Sequence, residues 1–103
     1  MVASAEYETR NNEAELRYEA LRDGRVVGEI RYRTAPDTVV LVHTEVAPSA
    51  GGSGVGSRLV AHALDDIRAR GLNVVPLCPF VASFIRRHPD YADLVVSDPV
   101  RAE

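Results

Sequence analysis

The stretch PSAGGSGVGSRL, residues 48–59, holds four of the chain's seven glycines within six positions. A plain turn needs one or two glycines, whereas a loop that brings bare backbone against a ligand needs several. The loop lies between an apolar strand pattern and an amphipathic helix pattern, so it leads into a helix N-terminus. Because the N–H groups and the dipole at a helix N-terminus attract phosphate, the stretch predicts binding of a pyrophosphate by main-chain amides.

Two common phosphate-binding motifs fit this loop poorly. A P-loop requires Gly-Lys-[Ser/Thr], and no lysine is near; the glycines at 52, 54 and 56 give no complete G-x-G-x-x-G. A flexible glycine-rich turn without a ligand is the structural alternative. The position of the loop, after a central strand and before a helix, favours ligand binding.

Cys78 is the chain's single cysteine, so it cannot form an intrachain disulfide. It precedes Pro79, a residue suited to the first turn of a helix. At that N-cap position the helix dipole would stabilise a thiolate, which is a nucleophile. The alternative is that Cys78 is a small buried hydrophobic residue.

His43 and Glu45 are two residues apart on one predicted strand, near the end that meets the glycine loop. A side chain of either type could act as a general base. Alternatively, His43 is a hydrogen-bonded core group, and Glu45 caps the helix or faces solvent.

The composition predicts one soluble domain. The chain has 103 residues, of which 46% are hydrophobic and 26% charged, and its formal net charge is −3. This charge does not favour nucleic acid as a partner. No apolar run approaches the roughly 20 residues of a membrane span, and no apolar leader is visible. The lone cysteine indicates a reducing environment, so we expect a cytoplasmic protein. We also expect a monomer or weak homodimer without a metal site.

The first half of the chain predicts three antiparallel strands. Residues 16–20 alternate in polarity, Asp23-Gly24 favours a type I′ hairpin, and a second turn is expected at 35–37. In the second strand Val26, Gly28, Ile30 and Tyr32 should share one face. In the third strand residues 39–42 should be buried on both faces, and the strand should continue to residue 46.

The second half predicts a strand–helix–strand crossover and a closing helix. Residues 55–67 have helical spacing and Gly71 should end that helix. A strand at 73–77 should lie parallel to the third strand. A second helix from Pro79 to His88 should turn its apolar residues to the core, and the following apolar residues should pack back on the domain: Phe80, Val81, Phe84 and Ile85, then Tyr91, Leu94 and Val95. We predict an α/β domain over residues 14–96 with flexible ends at 1–13 and 97–103.

Four motifs in order, HTEV, GVGSRLV, PLCPFV and RRHPDY, resemble a minimal subfamily of the GNAT acetyltransferase superfamily with chains of about this length. The resemblance covers residues 15–95. It implies a GNAT-like acyl-CoA N-acyltransferase fold, with acetyl-CoA as cosubstrate and an amine as acceptor. At the usual signature, [Arg/Gln]-x-x-Gly-x-[Gly/Ala], this chain has Gly51 in place of Arg or Gln, and Ser53 in place of a common Gln.

The resemblance also implies roles for particular residues. Cys78 would be the acyl acceptor or an acetyl-site residue, and Glu45 or His43 the base. Arg86 and Arg87 could contact the ribose phosphate, although solvated arginines are the simpler interpretation. The predicted CoA-binding residues are Val46, Gly51, Gly52, Ser53, Gly54, Val55, Gly56, Ser57, Phe84 and Arg87. The alternatives are a CoA-binding module without turnover and a protein-interaction domain.

Overall fold

The computed structural model describes residues 7–50 and 54–97, which contain a five-stranded sheet and two α-helices. The strands occur in sequence order across the sheet; the first four are antiparallel and β5 is parallel to β4. The predicted α/β fold, a meander followed by a parallel crossover and a closing helix, is confirmed. The elements are β1 (Glu8–Asn12), β2 (Arg17–Arg22), β3 (Arg25–Ala35), β4 (Thr38–Val46), α1 (Val55–Ala69), β5 (Asn73–Pro76) and α2 (Pro79–Arg87).

The turn between β2 and β3 has the predicted conformation. Asp23 and Gly24 have φ values of 53° and 78°. Two successive left-handed residues define a type I′ turn, whose twist matches that of the flanking strands. The second predicted turn, at 35–37, joins β3 to β4 through the pair Ala35 and Thr38.

A bulge in β3 corrects the expected face of Val26. Ala20 pairs with Gly28 and Leu21 pairs with Val26, so Val27 is the extra residue of β3. The bulge reverses the alternation: Val27 is buried, whereas Val26 is 40% exposed.

A second bulge corrects the expectation that residues 39–42 are buried on both faces. Arg31 pairs with His43 and Tyr32 with Leu41, which leaves Val42 unpaired on β4. Val42 is 39% exposed, while the three residues before it are buried. The alternation of side chains between the two faces of β4 therefore restarts at His43, the first of the two predicted functional residues on this strand.

The predicted flexible segment at residues 1–13 is wrong over residues 8–12, which form β1. The Nε atom of Arg10 lies 2.7 Å from Oε1 of Glu19, and the Asn12 amide donates to Oε2 of Glu19 at 3.1 Å. The Tyr32 hydroxyl donates to Asn11 at 2.6 Å. These polar contacts hold a segment with few apolar residues against β2. The expected flexible end at 97–103 lies, from residue 98, outside the described residues.

Helix α1 contains the predicted span 55–67 and ends two residues later. It begins after Gly54, at φ 81°, and stops before Gly71, at φ 72°, both conformations that glycine adopts at low cost. Its apolar stripe is fully buried against the sheet, with Leu59, Val60, Ala63, Leu64 and Ile67 at 0% exposure. Burying each large aliphatic side chain contributes about 2 kcal/mol, so this stripe positions the N-terminus of α1 firmly.

Helix α2 begins at Pro79 with Cys78 as its N-cap, as expected. Val81, Phe84 and Ile85 are buried, but Phe80, expected in the core, is 39% exposed. In the first turn its side chain points past the end of the core. None of the helices in the described part of the chain is both long and apolar enough to cross a bilayer.

The segment after α2 packs back on the domain. Leu94 is buried and Tyr91 packs partly against the core. Val95 is 39% exposed, so its side chain does not join the core as expected, although its backbone pairs with Val74 of β5.

Candidate functional site

The candidate site lies where β4 extends beyond its partner β5. The parallel pairing ends at Leu41 and Pro76, and the Cys78 N–H then donates to the Leu41 carbonyl at 3.0 Å. Strand β4 continues to Val46 without a strand partner on that side among the described residues. The diverging chains leave an opening between β4 and the start of α2.

The N–H group of Val46 faces this opening. The next residue, Ala47, donates its N–H to the Val27 carbonyl of β3 at 2.8 Å. Because successive N–H groups of a strand point to opposite sides, the Val46 N–H points away from β3. A main-chain donor at this edge could bind the oxygen of a thioester, and Val46 is among the predicted CoA-binding residues.

A cavity of about 260 Å³ connects this edge to the start of α1. Five predicted CoA-binding residues line it, together with Ala50 and Phe80: Val46, Gly54, Val55, Gly56 and Ser57. The other predicted loop residues, Gly51, Gly52 and Ser53, lie outside the described residues. Phe80 is the residue that the sequence analysis assigned to the core.

The residues at the start of α1 fit a pyrophosphate. Arg58 donates its N–H to the Gly54 carbonyl, which starts the helical hydrogen-bond series, so the N–H groups of Val55, Gly56 and Ser57 precede that series. The N-cap residue of α1 is Gly54, which has no side chain that could accept a hydrogen bond from these amides. The amides and the positive end of the helix dipole are therefore available to an anion.

Gly56 is required for the shape of this cavity. A Cβ atom at Gly56 would lie 3.0 Å from Cζ of Phe80 and 3.3 Å from its Cε2. The aromatic ring therefore packs directly on the helix backbone. The cavity combines main-chain donors with an apolar wall, a lining suited to an anionic group that continues into an uncharged chain.

Phe84 and Arg87 are not part of the cavity lining. Phe84 is buried and stacks on His88, with ring centroids 4.0 Å apart. Arg86 and Arg87 are exposed in the last turn of α2, and His88 is its C-cap. The CoA contacts of Phe84 and of the arginines remain predictions.

The Cys78 thiol is buried and donates a hydrogen bond to the Thr44 hydroxyl, with Sγ and Oγ1 3.2 Å apart. Both interpretations of the sequence describe part of this arrangement: the residue is an N-cap and it is also buried. Thr44 was not predicted. The HTEV motif contained the signal that could have found it. Side chains alternate between the two faces of a strand, so Thr44 must point to the face opposite His43 and Glu45.

His43 and Glu45 lie on the sheet face opposite Thr44. Their side chains are 59% and 69% exposed, and Nε2 of His43 is 3.7 Å from Oε1 of Glu45. His43 is therefore not a core residue. The structure places His43 and Glu45 together, but separates them from Cys78 by the thickness of β4.

A second cavity, of about 270 Å³, lies beside Glu45. Glu45 pairs directly with Glu29 across the two strands, and both side chains line the cavity. Ion pairs to Arg17 at 3.1 Å and Arg31 at 2.9 Å neutralise Glu29. Glu45 is the remaining acidic side chain of the cavity lining, and its exposed carboxylate could attract a cation.

A family model for GCN5-related N-acetyltransferases matches residues 17–94. The chain belongs to the GCN5-related N-acetyltransferase family. The predicted resemblance is confirmed, and with it the assignment of the protein as an N-acetyltransferase. The family uses acetyl-CoA as cosubstrate, and the cavity at the start of α1 has the amide donors that its pyrophosphate needs.

Solved structures share the fold of this N-acetyltransferase. A GCN5-like putative N-acetyltransferase from Staphylococcus aureus aligns with a TM-score of 0.65 at 20% identity, over 99% of this chain and 98% of that one. An IAA acetyltransferase from Bacillus cereus aligns at 0.54 and 18% identity, over 81% of this chain and 74% of that one. The ribosomal-protein-S18-alanine N-acetyltransferase from Escherichia coli aligns at 0.52 and 20% identity, over 70% of this chain and 44% of that one.

Proposed function

We propose that this GCN5-related N-acetyltransferase transfers the acetyl group of acetyl-CoA to a primary amine, with Cys78 as the acyl acceptor. One observation carries the proposal: Thr44 and Cys78 share a hydrogen bond, and each lies two residues before a residue that lines the cavity. Thr44 precedes Val46 on β4, and Cys78 precedes Phe80 on α2. Two residues of strand span about 7 Å. The thiol is therefore within reach of a thioester whose diphosphate lies at the start of α1.

The start of α1 and the edge of β4 would divide the binding of acetyl-CoA. The main-chain amides of Val55, Gly56 and Ser57 hold the pyrophosphate, and Phe80 packs against the uncharged arm. The Val46 N–H donates to the carbonyl oxygen as negative charge develops on it. Acetyl-CoA supplies an acetyl group already activated as a thioester.

Cys78 would take the acetyl group in a thioester exchange. The Cys78 sulfur forms a bond to the acetyl carbon while the bond from that carbon to the CoA sulfur breaks. The proton lost from Cys78 ends on the departing CoA thiol, so charge is conserved. The positive end of α2 stabilises the thiolate during this exchange.

The amine would then approach from the open face of the sheet. Its nitrogen bonds to the acetyl carbon, the bond to the Cys78 sulfur breaks, and Glu45 or His43 removes the amine proton. The same two residues could act if the amine attacked acetyl-CoA directly. We propose the covalent route because Cys78 is a nucleophile at the N-cap of α2, beside the end of the β4–β5 pairing.

The Glu45 carboxylate supports a cationic acceptor. It lines the cavity beside β4 and is exposed, so a protruding lysine or peptide amine could reach it. The single cysteine supports a reducing, cytoplasmic setting, and we propose a monomer or weak homodimer.

Intact-mass spectrometry after incubation with acetyl-CoA tests the proposal. We expect the wild-type protein to gain one acetyl group and Cys78→Ser to gain none at that position after peptide mapping. Adding an amine should remove the group and release an acetylated amine. Retained CoA with no acetyl on Cys78, together with normal amine acetylation, would contradict the covalent route. CoA binding without transfer to any amine would contradict the proposed activity.

A further inference from the structure

Beyond the end of β5, a hydrogen bond between two side chains joins β4 to α2. The Cys78 thiol donates it to the Thr44 hydroxyl. The Oγ1 atom of Thr44 lies 3.2 Å from Sγ of Cys78. The adjacent anchor is the Cys78 N–H, which donates to the Leu41 carbonyl at 3.0 Å. Backbone and side chain of Cys78 are thus both held by β4, three residues apart.

The hydroxyl of Thr44 can serve both protonation states of the sulfur. A hydroxyl is a donor and an acceptor, and it rotates to suit its partner. With the thiol, Thr44 accepts the hydrogen bond; with the thiolate, it turns and donates one. Hydrogen bonds to a charged partner are about twice as strong as neutral ones, so the hydroxyl favours the thiolate.

No charged side chain on the packed elements competes for this role. His43 and Glu45 of β4 lie on the other sheet face, and β5 has no titratable residue. The buried positions of α1 are all apolar or glycine. Arg86 and Arg87 of α2 lie at the helix end remote from its N-cap.

We propose that Thr44 is a positioning residue, which holds the Cys78 sulfur at the N-cap of α2 and stabilises its thiolate by a hydrogen bond. The proposal deepens the proposed function, because it names the group that prepares the acyl acceptor. It also stands apart from that function, since thiolate formation is measurable without acetyl-CoA.

The test is a pH titration of the thiolate absorbance in the ultraviolet, with Cys78→Ser as the blank. The chain has a single cysteine, so the difference signal belongs to one group. We compare wild type with Thr44→Val, which keeps the shape and removes the hydroxyl, and with Thr44→Ser, which keeps the hydroxyl. Thr44→Ala is a second hydroxyl-free variant in case the valine variant does not fold.

We expect the thiolate absorbance of the hydroxyl-free variants to appear at a pH about one unit higher than in wild type, and Thr44→Ser to match wild type. Equal midpoints in all variants would overturn the proposal, as would a shift in Thr44→Ser as large as in Thr44→Val. A thiolate shift without acetyl capture by wild-type Cys78 would uphold this inference and reject the covalent route alone.

Discussion

At the scale of single residues, Glu19 shows how a charge can be buried in a sheet face. Its side chain has 0% exposure and accepts hydrogen bonds from Arg10, Arg17 and Asn12. Burial alone raises the pKa of this carboxyl, but the hydrogen bonds from the two arginines and Asn12 together hold it below its usual value of 4.5. Glu19 therefore remains ionised and ties β1 to β2.

We expect Glu19→Gln to lower the free energy of unfolding at pH 7 by about 2 kcal/mol, because it leaves hydrogen bonds to charged donors weakened. The folded-state pKa is below the unfolded value, so the contribution of Glu19 is present above about pH 4.5 and disappears as the pH falls through the folded pKa. The variant should thus differ from wild type at pH 7 and begin to converge with it as the pH falls below about 4.5. Thermal unfolding across this range checks the prediction.

Asp93→Asn is the matched control for Glu19→Gln. Asp93 also has a lowered pKa, through its hydrogen bond from Arg68, but the pair is 44% and 65% exposed. Exposed ion pairs contribute little to stability. An effect of Glu19→Gln as small as that of Asp93→Asn would contradict a stabilising role for the buried carboxylate.

At the scale of elements, the turns and helix ends depend on positions where a side chain is costly. Gly24 in the β2–β3 hairpin has φ 78°, and no atom lies within 4 Å of a Cβ placed there. Gly56 at the start of α1 has the opposite constraint, because its Cβ would meet the Phe80 ring. One glycine serves the backbone conformation and the other serves packing.

We expect Gly24→Ala to lower the free energy of unfolding by about 1 kcal/mol, since alanine is strained in the left-handed region. Chemical denaturation measures the change. Asp23→Asn is the control: asparagine tolerates the φ of 53° at this position, so its stability should equal that of wild type. Equal stability of Gly24→Ala and wild type would show that the turn adopts another conformation.

Gly56→Ala should weaken CoA binding about tenfold, a loss near 1.4 kcal/mol, because the added Cβ crowds the Phe80 ring that lines the cavity, and the ring must shift. Helix stability should change little, since alanine has the higher helix propensity. Calorimetric titration with CoA checks the affinity. In the Phe80→Ala background, Gly56→Ala should have a much smaller effect; an undiminished loss would mean that the ring is not the cause.

At the scale of the whole molecule, the sheet separates two chemistries. Its helix-covered face holds Cys78 and Thr44, and its other face holds the exposed His43 and Glu45. Beyond the end of β5, the edge of β4 has no strand partner among the described residues. Because the residues proposed for acyl capture and for amine deprotonation lie on different faces, we expect the two steps to be altered independently.

We expect Glu45→Gln to slow amine acetylation about a hundredfold, the contribution of a general base, and to leave acetyl capture by Cys78 unchanged. Steady-state kinetics with an amine and intact-mass measurement without one separate the two effects. His43→Gln is the companion variant, since His43 lies 3.7 Å from Glu45. Loss of acetyl capture in Glu45→Gln would contradict this separation by face.

The amino-acid sequence by itself determined features that depend on neighbouring residues: the Asp23-Gly24 turn, the span of α1, and Cys78 as N-cap of α2. These follow from local backbone preferences and hydrophobic periodicity. The motifs also predicted the family and five residues that line the cavity at the start of α1.

Only the tertiary structure decided the rest. The bulges at Val27 and Val42 depend on how each strand pairs with its neighbour in the twisted sheet. The sequence of one strand does not specify this pairing register. Phe80 lines the cavity rather than the core because α2 begins beyond the end of β5. The contact between Thr44 and Cys78, which are 34 positions apart, exists because β4 and the start of α2 meet in space.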